Sequence, residues 1–198
     1  MKKLLLSALA VCAFTFSNAQ ETEKSSGLDV TFGAKAGLNL ATLAGDAENV
    51  SMKPGFHVGG MAEIAFNEKF SVQPEVMYSL QGAKVDGGFD GEFNLSYINL
   101  PVMAKYYVAE GFSIEAGPQV GFLIDAKSKA DGESFDEKEF TSSIDFGVNF
   151  GAGYKLDNGL NFSARYNVGL ANTYDGPGKD DNHVTNAVMQ LSVGYFFN

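Results

Sequence analysis

From residue 28 onward the chain alternates apolar and polar residues with a period of two, the mark of β-strands with two unlike faces. Eight segments carry the pattern. The first, Leu28 to Leu40, sets Val30, Phe32, Ala34, Ala36 and Leu38 against Thr31, Gly33, Lys35, Gly37 and Asn39. The others are expected at Phe56 to Phe66, Phe70 to Gln81, Phe93 to Tyr107, Phe112 to Ile124, Phe140 to Lys155, Leu160 to Ala171 and Val184 to Phe197. In each, one face is rich in Phe, Tyr, Leu, Ile and Val. The opposite face carries Gly, Ser, Asn and isolated charges.

The connections alternate as well. Short turns fall at Asn67-Glu68-Lys69, Val108 to Gly111 and Asp157-Asn158-Gly159. Long polar loops are expected at Ala41 to Gly55, Gly82 to Glu92, Asp125 to Glu139 and Asn172 to His183. Up-and-down connection of eight strands puts all short turns at one end and all long loops at the other, the asymmetry of membrane barrels.

Period two does not say which face is inside, but volume does. An eight-stranded barrel has room for a modest packed filling, far less than the bulky apolar face would need. The small polar face therefore lines the lumen and the apolar face meets lipid. Aromatics at the strand ends fit interfacial girdles: Phe56, Phe66, Phe70, Tyr106, Phe112, Tyr154, Tyr195 and Phe197. The fold class expected is all-β, an eight-stranded antiparallel up-and-down transmembrane β-barrel. Pro74, Pro101 and Pro118 conflict with this, because they lie inside strands and a closed barrel has no edge to excuse a missing N–H. Bulges or strand ends are the expected remedy.

The first residues read as an export signal. Met1-Lys2-Lys3 is a positive start, Leu4 to Phe16 an apolar run, and Ser17-Asn18-Ala19 a small-residue cleavage site. The expected divisions are a cleaved signal peptide at 1–19, a short periplasmic lead-in at 20–27 and an outer-membrane barrel domain at 28–198. The one cysteine, Cys12, falls inside the signal, so the mature chain is expected to hold neither disulfide nor thiol nucleophile. The net charge of -10 disfavours nucleic acid as a partner, since a phosphate backbone needs clustered Lys and Arg.

Several stretches resemble the PorT-like outer-membrane β-barrel family: "FGAKAGLNLATL", "FSVQPEVMYSLQGAK", "YINLPVMAKYY", "EAGPQVGFLI", "IDFGVNFGAGY", "FSARYNVGLAN" and "VMQLSVGYFFN". They follow one another over nearly the whole mature chain. The resemblance implies an eight-stranded outer-membrane barrel, similar in build to OmpA- and OmpX-like barrels, and implies little about activity. The PorT branch is associated with protein secretion, and no residues here assign the chain to that branch. The resemblance includes the three strand prolines without explaining them. Barrel strands often end a chain on an aromatic residue; here Phe197 is followed by Asn198.

Two constellations are candidate sites. Lys35, Lys105 and Arg165 face the expected lumen with Glu63, Glu75, Glu115 and Asp145. Isolated charges there are costly, so a paired network that plugs the barrel is expected; rearranging pairs would instead make a gated ion path. Asp131, Glu133, Asp136 and Glu137 form a candidate cation-binding loop, with the spacing of no EF-hand. His57 and His183 have no visible catalytic companions, so no enzyme and no cofactor are expected. The expected protein is an integral outer-membrane monomer with a structural or binding role. Its partners would be outer-membrane lipid, the barrel-insertion machinery, and a protein or surface ligand at four acidic external loops. The alternatives are a narrow ion or small-solute channel, a lipid-modifying enzyme, and a soluble ligand-binding barrel.

Overall fold

The computed structural model describes residues 29–47, 49–85, 91–130, 133–178 and 181–197. The expected signal peptide at 1–19 and lead-in at 20–27 lie outside them. Nine strands run through the described residues: β1 (Asp29–Gly45), β2 (Val50–Asn67), β3 (Phe70–Val85), β4 (Gly91–Ala109), β5 (Phe112–Ala130), β6 (Glu133–Asp136), β7 (Ile144–Lys155), β8 (Leu160–Gly169) and β9 (Val184–Phe197). All but β6 form a closed antiparallel ring in chain order. The seam between first and last strands is fully paired, from Phe32 opposite Phe197 to Gly45 opposite Val184.

Side-chain direction follows the volume argument. Along β9, Leu191, Val193, Tyr195 and Phe197 point outward and are exposed, while Ser192 and Phe196 are buried inside. Such a continuous apolar exterior is the outward band of a membrane barrel. A ring of aromatics circles the short-turn end: Phe70 is opposite Tyr106, Phe112 opposite Tyr154, and the Phe66 and Phe70 rings lie 5.7 Å apart. Phe56 does not belong to that ring. It lies toward the long-loop end of β2 against Tyr78, 5.8 Å between ring centres.

The strands reach further than the alternation predicts. About 9–11 tilted residues cross a bilayer, yet β1 to β5 have 16 to 19. Their ladders continue beyond the apolar band to Val50↔Val85, Val85↔Gly91 and Gly91↔Ala130, and β6 adds Ala130↔Glu133. Most of the residues expected to be long loops are therefore hairpin. A bulge at Ile124 hid the extension of β5: Tyr97 is opposite Leu123 while Ser96 is opposite Asp125. The extra residue switches the inward parity from odd to even, which breaks the period. By contrast β7 starts at Ile144, not Phe140, and β8 stops at Gly169. The long-loop rim is thus tall over β2 to β6 and low over β7 and β8.

The three prolines are accommodated in neither expected way. Register is unchanged across each. The β2–β3 ladder passes from Met61↔Glu75 to Ile64↔Val72, stepping over Pro74. The β3–β4 ladder passes from Pro74↔Val102 to Met77↔Asn99, stepping over Pro101. The β4–β5 ladder passes from Pro101↔Gln119 to Ala104↔Ala116, stepping over Pro118. Each proline omits its N–H from the ladder with the preceding strand, and long flanking ladders hold the register.

Candidate functional site

The ring encloses a lumen, and the middle of that lumen is charged. Seven side chains alternate in sign along one chain of contacts. Lys35 Nζ lies 3.1 Å from Glu75, and Glu75 lies 2.8 Å from Arg165. Arg165 reaches Glu115 at 2.8 Å, and Glu115 lies 3.9 Å from Lys105. Lys105 meets Glu63 at 2.7 Å, and Glu63 meets Lys155 at 3.0 Å. Seven ring strands contribute one member each; only β9 does not. Gln73 ties the chain laterally, donating to Glu75 at 2.6 Å and accepting from Lys105 at 3.1 Å. The Tyr107 hydroxyl donates to Glu63 at 3.0 Å.

Alternation explains how neighbours on the chain reach the belt: positions two apart share a face. Small lumen residues make the room. At Gly151 an added Cβ would lie 2.8 Å from Arg165 Cγ. The hollow between Lys105, Glu115, Asn161 and Arg165 measures about 10 Å³, near the least that holds one water. Below the belt, Phe196 and Met103 are fully buried, and Lys155 Nζ stands 4.6 Å from the Phe196 ring centre. Above it, Leu95, Tyr97, Leu123 and Ala126 form an apolar cluster inside the tall wall.

Of the seven residues expected in the network, six are in it. Asp145 is buried in the lumen but stands apart, toward the long-loop end. It accepts from Asn186 Nδ2 at 3.0 Å and has no cationic partner among the described residues. Lys155 takes its place in the chain. It stands at the end of a strand, where a snorkelling surface lysine is the ordinary expectation; its inward parity is the one signal in the sequence.

A second cluster was not legible in the sequence. His57 Nδ1 lies 2.8 Å from Asn39 Oδ1, and His57 Nε2 lies 2.8 Å from Ser192 Oγ. The three come from β2, β1 and β9, and the imidazole reaches across Gly37, which has no side chain to block it. Asn39 Nδ2 also donates to Ser79 Oγ and to the Phe56 and Leu80 carbonyls. The order hydroxyl, imidazole, orienting amide is that of an activated nucleophile. Here all three are buried inside the ring, with Ser192 only 7% exposed. They act as a cross-strand clamp.

Among the described residues the loop carboxylates do not converge. Asp131 lies outside the described residues. Glu133 and Asp136 are on β6, where Asp136 Oδ1 accepts from the Lys138 amide, and Glu137 accepts from Ser128 Oγ at 2.7 Å. Among the described residues no three His, Cys, Asp or Glu side chains could hold a metal together. Lys127, on the wall beyond the apolar band, pairs with Asp125 at 2.9 Å, and that hydrogen bond holds its ammonium pKa above the ordinary value.

The sequence matches the family described as Outer membrane protein beta-barrel domain over residues 18–175. Solved structures share the fold. Neisserial surface protein A aligns with TM-score 0.61 at 16% identity, covering 85% of this chain and 99% of that one. The attachment invasion locus protein Ail of Yersinia pestis aligns at 0.53 and 17%, covering 87% and 100%. A major outer membrane protein of Thermus thermophilus aligns at 0.51 and 15%, covering 85% and 100%. A search of curated proteins finds no match to the sequence.

Proposed function

This chain belongs to the outer membrane protein beta-barrel domain family, and from that premise we propose that it is a non-enzymatic barrel with a closed lumen and a binding rim. The long-loop end faces outward, as in membrane barrels generally, and its tall wall meets a surface ligand or a protein partner. A partner in protein secretion, with which the PorT branch is associated, falls within this reading.

One observation carries the closed lumen: seven charges from seven strands, alternating in sign, cross it with about 10 Å³ left beside them. Buried pairs of this kind resist separation, because breaking one leaves a bare charge in a low-dielectric space. The test is conductance. Mature protein in planar bilayers gives no steady single-channel openings, and an Arg165→Ala/Glu115→Ala variant gives them. Steady openings from the unmodified protein would sink the closed-lumen reading in favour of a narrow ion or solute channel. The non-enzymatic part has its own check: lipid A and phospholipid profiles are unchanged in a deletion strain.

A further inference from the structure

The lipid side of the ring is not evenly covered. On β7 it reads Phe150, Ala152, Tyr154, and on β8 it reads Phe162, Ala164, Tyr166, one alanine between two aromatics on each strand. Register sets the two alanines opposite each other. Across the seam the next small residue, Ala36, lies one row nearer the short turns, opposite Val193. The three alanines floor a hollow of about 600 Å³ on the outside of the barrel. Phe112, Tyr154 and Phe162 bank it on the short-turn side, and Leu191 and Leu38 bound it across the seam.

The hydrophobic effect does not fill a hollow in this face, because lipid tails are as apolar as the wall. Contact decides instead: side chains around an unfilled space lose their van der Waals partners. Lipid surrounds a barrel at this depth, and a flexible hydrocarbon chain can follow the hollow. A second copy suits it badly. A two-fold contact sets one patch against itself, so hollow would face hollow. The polar end of a lipid has a place as well. The Tyr154 ring lies over the short turn at Gly111, whose Cβ position is 3.4 Å from Tyr154 Cζ. The hydroxyl, one bond beyond Cζ, is therefore at the level of the short turns, where interfacial aromatics meet headgroups.

We propose that this hollow holds one acyl chain of a single phospholipid, with the Tyr154 hydroxyl donating to an ester or phosphate oxygen of the same molecule. The leaflet is the periplasmic one, because short turns face the periplasm in membrane barrels. The site lies on the lipid side of the ring and depends on neither the lumen nor the rim. Fit sets it apart from the rest of the apolar face: the lipid seated here stays, while lipids elsewhere on the wall exchange with the bilayer.

The test uses the full mature chain refolded in detergent, stripped of lipid and titrated with phosphatidylethanolamine, the bound molecules being counted by native mass spectrometry. One phospholipid binds saturably, ahead of all later ones. Ala164→Phe fills the hollow and weakens that first step about tenfold, whereas Ala104→Phe, at a lipid-facing alanine on β4 outside the hollow, leaves it unchanged. Tyr154→Phe keeps the ring and weakens the first step by a smaller factor. Heat-modifiable gel mobility checks that each variant is a closed barrel, and Ala152→Leu fills the same space should Ala164→Phe not fold. Binding in equal, unsaturable steps would overturn the proposal, as would a first step that survives with the hollow filled. A dimer that Ala164→Phe splits would give the hollow to a second copy. Tighter binding of lipopolysaccharide than of phosphatidylethanolamine would refute the periplasmic assignment.

Discussion

Gly151 and Ala152 are neighbours on β7 with opposite surroundings, one against Arg165 in the lumen and the other facing lipid. Enlarging Gly151 to Val pushes into the Ala164 carbonyl and Arg165 and costs at least about 1–3 kcal/mol through overpacking, whereas Ala152→Val is close to neutral. Urea midpoints in detergent distinguish the two. Position along the belt matters in the same way. Arg165 serves two buried carboxylates, so Arg165→Met takes a partner from both and costs about 3–5 kcal/mol. Lys155 ends the chain with its side chain 30% exposed, and Lys155→Met costs less than about 1 kcal/mol. Equal losses at the two sites would mean that the chain does not act as a chain. Residue chemistry was only partly legible in advance. Lys35, Glu75 and Arg165 could be placed by parity alone, because inward charges need partners. The clamp of Asn39, His57 and Ser192 could not: its members are 18 and 135 positions apart, and only ring closure makes β1 and β9 neighbours.

Each strand has a depth as well as a face. Phe150 lies in the middle of β7 on the outside, 54% exposed, and Phe150→Arg costs about 2–4 kcal/mol at the bilayer midplane. Tyr195→Arg, at the aromatic ring of the short-turn end, costs about 0–1 kcal/mol. Folding equilibria into lipid vesicles measure both; a flat profile with depth would contradict the membrane assignment of the outer face. The eight ring strands were legible because lipid enforces alternation. Their extensions were not, because beyond the apolar band both faces meet water or wall and nothing enforces the period. Ile124 shows the second cause, since one extra residue reverses the parity that the pattern depends on. The prolines gave a true warning about hydrogen bonding and a wrong one about register. Amides flanking Pro74, Pro101 and Pro118 are expected to exchange with D₂O faster than amides at equal depth in β7 to β9.

For the molecule as a whole, orientation is the first thing to measure. Lys84, Lys127 and Lys129 are exposed on the tall wall, while Lys69 is exposed in a short turn at the other end. Trypsin added to intact cells should cut at the wall lysines and reach Lys69 only after the outer membrane is permeabilised. Early cutting at Lys69 would invert the barrel. Closure itself is cooperative in this design. The partners in the belt are on β1 and β3, β2 and β4, β2 and β7, β3 and β8, or β5 and β8, never on strands paired to each other except for Lys105 and Glu115. A partly assembled sheet leaves them unmatched in lipid. The same wiring bears on how the sequence can drift. A change at Glu75 is felt at Lys35 and Arg165, on other strands of the ring, so neither end of a pair can vary freely. Among descendants of this barrel, inward charges should be exchanged or lost in concert across the ring, while the residues on the lipid side substitute one by one.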